Sequence, residues 1–245
     1  MTLLRSALFN VWFFLMTMVV AGAGTPCRWI GRRHALRFAQ VWAGLALDGA
    51  AVICGIRVVV TGLEHLPTGG AALIASQHQS AFDTMIWLRL VPRVAYVFKA
   101  ELARVPLFGP LLVPAGQIPV ERSGINAVRT LLRGGDRAKA DGRQIVVFPE
   151  GTRVRPGEDV PLRPGIAILA ARTGLPVIPV ATDSGLRWGR RAFNKRPGPI
   201  HIVIGRPIPP DLPQAELIAT LRARWREAEL AMPVDNSVHR PVPAV

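Results

Sequence analysis

Two side chains five residues apart carry the clearest chemistry in this sequence. In IASQHQSAFDT, His78 follows an apolar run typical of a strand, and Asp83 stands near the start of a helical stretch. A strand-to-helix turn can bring such side chains together. Imidazole titrates close to neutral pH and accepts a proton from an alcohol, while a carboxylate on its other ring nitrogen fixes the tautomer and stabilises the imidazolium. Such a pair makes a hydroxyl nucleophilic. The plainer alternative is a turn in which Asp83 caps the helix. Ser80 lies outside any Gly-x-Ser-x-Gly elbow and receives no covalent role.

Three further segments hold groups suited to an anion. VVFPEGTR places Phe148, Pro149, Glu150, Gly151, Thr152 and Arg153 directly after the strongest β run. A glycine in a tight turn lets backbone amides approach an anion, Thr152 adds a hydroxyl donor, and Arg153 offers a planar fork for phosphate oxygens. Glu150 fits such a site if it orients an arginine or a substrate hydroxyl. GQIPVER runs from Gly116 to Arg122, a second cation after a short extended segment, and FKAELARVPLFG sets Lys99 at a strand end. Each has a bland counterpart: an ordinary strand-ending turn, a solvated arginine, a helix packed on the core.

The elements that must position these groups follow an α/β rhythm after Arg57, with short β-branched runs alternating with helical stretches. Strands are expected at 57–61, 72–76, 94–98, 145–148, 176–181 and 201–204, and helices at 80–90, 126–140, 164–173 and 213–232. The expected fold is a central mixed sheet flanked by helices, preceded by two membrane-associating helices. The division is 1–56 for those helices, 57–232 for the α/β domain and 233–245 for a loosely held tail.

From Ser6 to Gly24 there is no charge over 19 residues, enough for a helix to cross a bilayer core of about 30 Å. A cleaved signal peptide shares this look, but Arg28, Arg32, Arg33 and Arg37 follow it, a cluster expected at an anionic cytoplasmic surface. In the next apolar stretch, 35–56, Arg37, Gln40, Gly44 and Asp48 recur at helical spacing as a polar stripe, which reads as an amphipathic helix and not a second span. Either the first helix spans once, or both enter the cytoplasmic leaflet and return.

The balance of 30 Lys and Arg against 16 Asp and Glu, +14 formally, calls for an anionic partner. With no zinc-finger spacing and no RNA-binding signature in so apolar a chain, an anionic membrane fits better than nucleic acid. The basic run RWGRRAFNKR, with Arg187, Arg190, Arg191, Lys195 and Arg196, is either a lipid-facing surface or a solvated loop. Cys27 and Cys54 have no metal-ligand spacing, so they read as packing residues, and no HExxH or paired-His pattern supports a metal-assisted hydrolase.

Read jointly, HQSAFD (His78, Asp83), GQIPVER (Gly116, Arg122), FPEGTR (Phe148 to Arg153) and VIPVA (Pro179) resemble, in order and spacing, the four blocks of the glycerolipid acyltransferase family, over roughly 57–205. Gln77 stands before the histidine where asparagine is more familiar, and the second block lacks the aromatic or Asp often found there. The resemblance implies transfer of a fatty acyl group from acyl-CoA or acyl-ACP to the sn-2 hydroxyl of 1-acylglycerol-3-phosphate, giving phosphatidic acid, without a metal, cofactor or acyl-enzyme. It implies His78 as base and Asp83 as its support, with Lys99, Gly116, Arg122, Glu150, Gly151, Thr152 and Arg153 around the acceptor. Another lyso-lipid, such as lyso-ornithine lipid or a lysophospholipid, is the alternative acceptor. The implied setting is the cytoplasmic face of a bacterial inner membrane.

Overall fold

Alternation along the central strands divides the interior into two apolar layers. A computed structural model describes residues 1–24, 32–105, 109–121 and 125–233. In chain order its elements are α1 (Thr2–Gly24), α2 (Arg32–Cys54), β1 (Ile56–Thr61), β2 (Ala72–Ser76), α3 (Phe82–Leu90), β3 (Val94–Lys99), α4 (Gly109–Leu112), β4 (Ile118–Val120), α5 (Ile125–Ala140), β5 (Gln144–Val147), α6 (Gly165–Thr173), β6 (Val177–Thr182), α7 (Ser184–Arg187), β7 (Gly198–Ile204) and α8 (Gln214–Ala231). The strands form one sheet in the order β1-β7-β6-β2-β5-β3-β4. Every pairing is parallel except β6 with β7, so the sheet is mixed as expected.

Strands β2, β5 and β6 are buried along their whole length, which is why they read as continuous apolar runs. Ile74, Val146, Ile178 and Val180 pack with Phe82, Met85 and Trp87 of α3 and with Phe9, Ala43 and Leu47 of α1 and α2. Leu73, Ala75, Ile145 and Val177 face the other way, onto Leu131 of α5, Ile166 and Leu169 of α6 and Leu217, Leu221 and Trp225 of α8. Helices thus cover both faces of the sheet. Strand β4 was foreseen only as an extended segment, because three residues around Pro119 carry too little pattern to read as a strand.

Helices α1 and α2 pack on each other and on the first of these layers. A Cβ on Gly49 would lie 2.2 Å from the Trp12 ring, so glycine is what admits the close approach. Trp42 Nε1 donates to Thr17 Oγ1 at 3.0 Å. Both helices are long and apolar enough, by length and composition, to cross a membrane. Leu4, Leu8, Val11, Leu15 and Met18 of α1 and Val41, Leu45 and Val52 of α2 remain exposed. The polar stripe of α2 is partly absorbed by the domain: Asp48 pairs with Arg89 of α3 at 2.5 Å and Gln40 Nε2 donates to Pro92 O at 3.2 Å. That is how a helix with an amphipathic pattern also presents an apolar strip outward. Cys54 is a buried, free thiol; Cys27, Arg28 and the tail beyond Pro233 lie outside the described residues.

Candidate active site

His78 stands just past the carboxyl end of β2, in the five-residue turn that leads into α3. That is the end of a parallel strand where open α/β sheets place their ligands. The turn is held from within by Asp83, buried in the first turn of α3. Its Oδ2 accepts the backbone N–H groups of Gln79 and Ser80, both at 2.7 Å, and faces His78 Nδ1 at 3.2 Å. One carboxylate oxygen thus pins the turn ahead of α3, without capping the helix itself, and also faces the imidazole. Ser80 Oγ, buried in the core, accepts Phe82 N–H at 3.1 Å. With Nδ1 donating to the carboxylate, Nε2 is left as the acceptor.

The segment after β5 grips the same turn. Glu150 Oε2 accepts His78 N–H at 2.7 Å, and His78 O accepts Val154 N–H at 2.7 Å. Both faces of the histidine's main chain are thereby fixed. The imidazole stacks on Phe148, ring centroids 4.2 Å apart and 23° from parallel, with Tyr96 beyond it on the same ring. The glutamines either side of His78 extend the brace: Gln77 bonds Glu229 of α8 and Thr182 N–H, and Gln79 accepts Gly185 N–H. Burial pushes the Glu150 carboxyl up to about 8; the His78 N–H pulls it back, while Asp83 and Glu229 push it further.

The remaining groups divide. Arg153 is half-buried, and its guanidinium is lowered from its ordinary value by burial, raised by the charge of Asp83 and lowered again by Arg190 and Arg191. It is thus within electrostatic reach of Asp83 and of two cations from the loop between α7 and β7. Gly151 adopts φ 67° and spends its N–H on Phe148 O at 2.9 Å, closing the turn, and Thr152 is exposed beside it. Lys99 is exposed at the end of β3, in register with Val120 of β4. Gly116, at φ 83°, lies against the Arg143 guanidinium, where a Cβ would come within 2.4 Å. Its neighbour Gln117 accepts Tyr96 N–H at 2.6 Å. Arg122 lies outside the described residues. Among the described residues no three His, Cys, Asp or Glu side chains gather to hold a metal ion.

With this geometry in hand, comparison with known proteins is decisive. An acyltransferase family model matches residues 57–183, the span from β1 to the end of β6. The 1-acyl-sn-glycerol-3-phosphate acyltransferase of Pseudomonas aeruginosa is 34% identical over 212 residues, 84% of this chain and 82% of the relative. The chain belongs to the acyltransferase family. A plant relative of the same name, from Limnanthes douglasii, is 33% identical over 163 residues, 65% of this chain and 57% of the relative. The fold of this acyltransferase is also that of the crystal structure of the 1-acyl-sn-glycerophosphate acyltransferase PlsC from Thermotoga maritima. That match has a TM-score of 0.77 at 22% identity and covers 96% of this chain and 100% of that one.

Sequence reasoning missed how the acyltransferase uses its basic loop. Lys195 and Arg187, read as members of a solvated or lipid-facing run, are buried. Lys195 N–H donates to Ser6 Oγ at 2.9 Å, and its Nζ reaches Asn10 Oδ1 and Phe193 O while lying over the Trp188 ring. It fastens the loop to α1. Burial lowers its ammonium from the ordinary value. The partners are some 185 residues away in sequence, so only the unbroken polarity of Ser6 and Asn10 within an apolar helix hinted at them.

Proposed function

We propose that this acyltransferase moves a fatty acyl group from acyl-CoA or acyl-ACP to the sn-2 hydroxyl of 1-acylglycerol-3-phosphate, giving phosphatidic acid, with His78 as general base. His78 Nε2 takes the hydroxyl proton as the alcohol oxygen attacks the thioester carbonyl carbon. The tetrahedral intermediate expels the thiolate, and the imidazolium returns the proton to sulfur. Asp83 holds the tautomer and stabilises the imidazolium. No covalent enzyme intermediate and no cofactor enter this scheme. Arg153, with Arg190 and Arg191 in its field, and Arg122 receive the acceptor's phosphate. The catalytic domain works on the cytoplasmic face, where thioester donors are made.

The observation that carries the reading is the His78 Nδ1 to Asp83 Oδ2 contact at 3.2 Å, on a main chain gripped by Glu150 and Val154. The cationic surroundings of Arg153 favour an acceptor with a phosphate over one without. Purified protein with acyl-CoA or acyl-ACP, offered lysophosphatidate, a lysophospholipid and a lyso-ornithine lipid, is the test. Transfer to lysophosphatidate should exceed that to lyso-ornithine lipid by about ten-fold or more, the worth of one charge-assisted hydrogen bond. No transfer to lysophosphatidate rejects the proposal.

A further inference from the structure

Helix α5 has two unlike faces. Leu131 and Ala138 are buried, and Gly134 and Gly135 lie so close to Ile118 of β4 and Leu169 of α6 that a Cβ would come within 2.3 and 2.6 Å of them. Arg129, Arg133 and Arg137 recur every four residues on the opposite side, and all three are exposed. At about 1.5 Å per residue they form a ridge about 12 Å long with a charge about every 6 Å. Among the described residues none of the three pairs with a carboxylate, because the helix's one acid, Asp136, is held by Arg172 of α6 at 2.9 Å. The contrast with α8 is plain: there Arg222 and Arg226 hold Asp159, and Arg224 holds Glu227. Like charges at four-residue spacing repel, so the ridge gains from meeting negative charge elsewhere.

The sheet decides what it can meet. Helices α1 and α2 pack in the apolar layer on one side of the sheet and turn their exposed apolar strips outward, whereas α5 packs in the layer on the other side. The ridge therefore faces away from those strips, and its counter-charge comes from the aqueous side. Strands β2, β3, β4 and β5 run parallel, so α5, entered from the carboxyl end of β4, begins at the sheet edge that holds His78. A macromolecule lying along α5 has one end at that edge. Carboxylates at four-residue spacing on a second helix match all three arginines, whereas the phosphates of a nucleotide would engage one or two.

We propose that the Arg129, Arg133 and Arg137 ridge docks an acidic helix of the acyl carrier protein, which delivers its thioester to the His78 edge. This rests on the proposed acyl transfer and names the docking surface of its donor. It is read first by binding without turnover, so the two can fail separately.

The test titrates the full chain, in neutral detergent micelles at low salt, with acyl carrier protein. The unmodified chain should bind it, with affinity falling as salt rises. Arg133→Glu, an exposed mid-helix change whose carboxylate sits four residues before Arg137, should weaken binding by about five-fold or more. Arg57→Glu makes the same change of charge at an exposed position on β1, the opposite edge of the sheet, and should leave binding within about two-fold. In turnover, Arg133→Glu should raise KM for acyl-ACP and leave KM for acyl-CoA within about two-fold. No binding by the unmodified chain would overturn the proposal, as would equal loss in the Arg57 variant, which means diffuse attraction. An equal rise in KM for acyl-CoA, which means a nucleotide or thioester site, would do the same. So would unchanged carrier binding by the Arg133 variant, whether or not its retention on phosphatidylglycerol vesicles falls, the latter meaning a membrane surface.

Discussion

Among the described residues two histidines, largely but not wholly enclosed, pair with aspartates. His78 Nδ1 lies 3.2 Å from Asp83 Oδ2, and His201 Nδ1 lies 2.7 Å from Asp183 Oδ2. Bond length would choose the second pair, and exposure cannot choose at all, because the two imidazoles are 12% and 11% open. What separates them is where the chain puts them. His201 sits within β7, in register with Val59 of β1, and Asp183 also accepts its main-chain N–H at 2.7 Å. That carboxylate ties a strand to the start of α7. His78 lies beyond the end of its strand, stacked on Phe148, with Arg153 in the field of its aspartate. The same two side chains thus serve a sheet in one place and, on our account, a reaction in the other.

Removing each carboxylate's charge should break this symmetry most sharply. Asp83→Asn should cut kcat by about 10²- to 10⁴-fold, since the amide favours the wrong tautomer, with the fold retained. Asp183→Asn should cost about 1–3 kcal/mol of stability by chemical denaturation and leave kcat within about two-fold. Equal kinetic losses would erase the distinction.

Glu150 sharpens the comparison, because the His78 main chain is gripped by a carboxylate other than its ring partner, whereas at His201 Asp183 holds both the ring and the main-chain N–H. Glu150→Ala leaves the His78 N–H without its acceptor and should lower kcat by about ten- to a hundred-fold, while Glu150→Gln, which still accepts, should lower it less. The stability profile gives a second readout. A carboxyl raised from 4.5 to about 8 on folding holds a proton that the unfolded chain releases between those values. Its effect is therefore to reduce stability as pH rises through that window. Glu150→Gln should flatten the fall in Tm between pH 5 and 8 and be the more stable protein above it; an unchanged slope would contradict the buried carboxyl. The smallest effect is expected at Arg153, where Arg153→Ala should raise KM for lysophosphatidate about ten-fold with little change in KM for the thioester.

The sequence disclosed whatever depended on near neighbours. Strands β2, β5 and β6 were readable because both faces of each are covered, and α8 because Leu217, Leu221 and Trp225 share one buried face. The 78–83 spacing disclosed a turn that the structure closes through Asp83. Hidden were the relations between distant segments. The His201–Asp183 pair spans 18 residues and two strands, and Glu150, expected beside a phosphate, turns its carboxylate onto the main chain of residue 78. Gly116, expected near the acceptor, carries its positive φ to make room for Arg143, a side chain 27 positions later. Such pairings follow from strand order, which no local pattern encodes.

The central claim is that the imidazole of residue 78, and not that of residue 201, takes the acceptor's proton. Thiol release from acyl-CoA should be followed with lysophosphatidate present, using His78→Ala and His201→Ala proteins matched for folding by circular dichroism. The account predicts a loss of about 10³-fold or more for His78→Ala and a change within about two-fold for His201→Ala. Near-normal turnover by His78→Ala, or an equal loss in both, would contradict it.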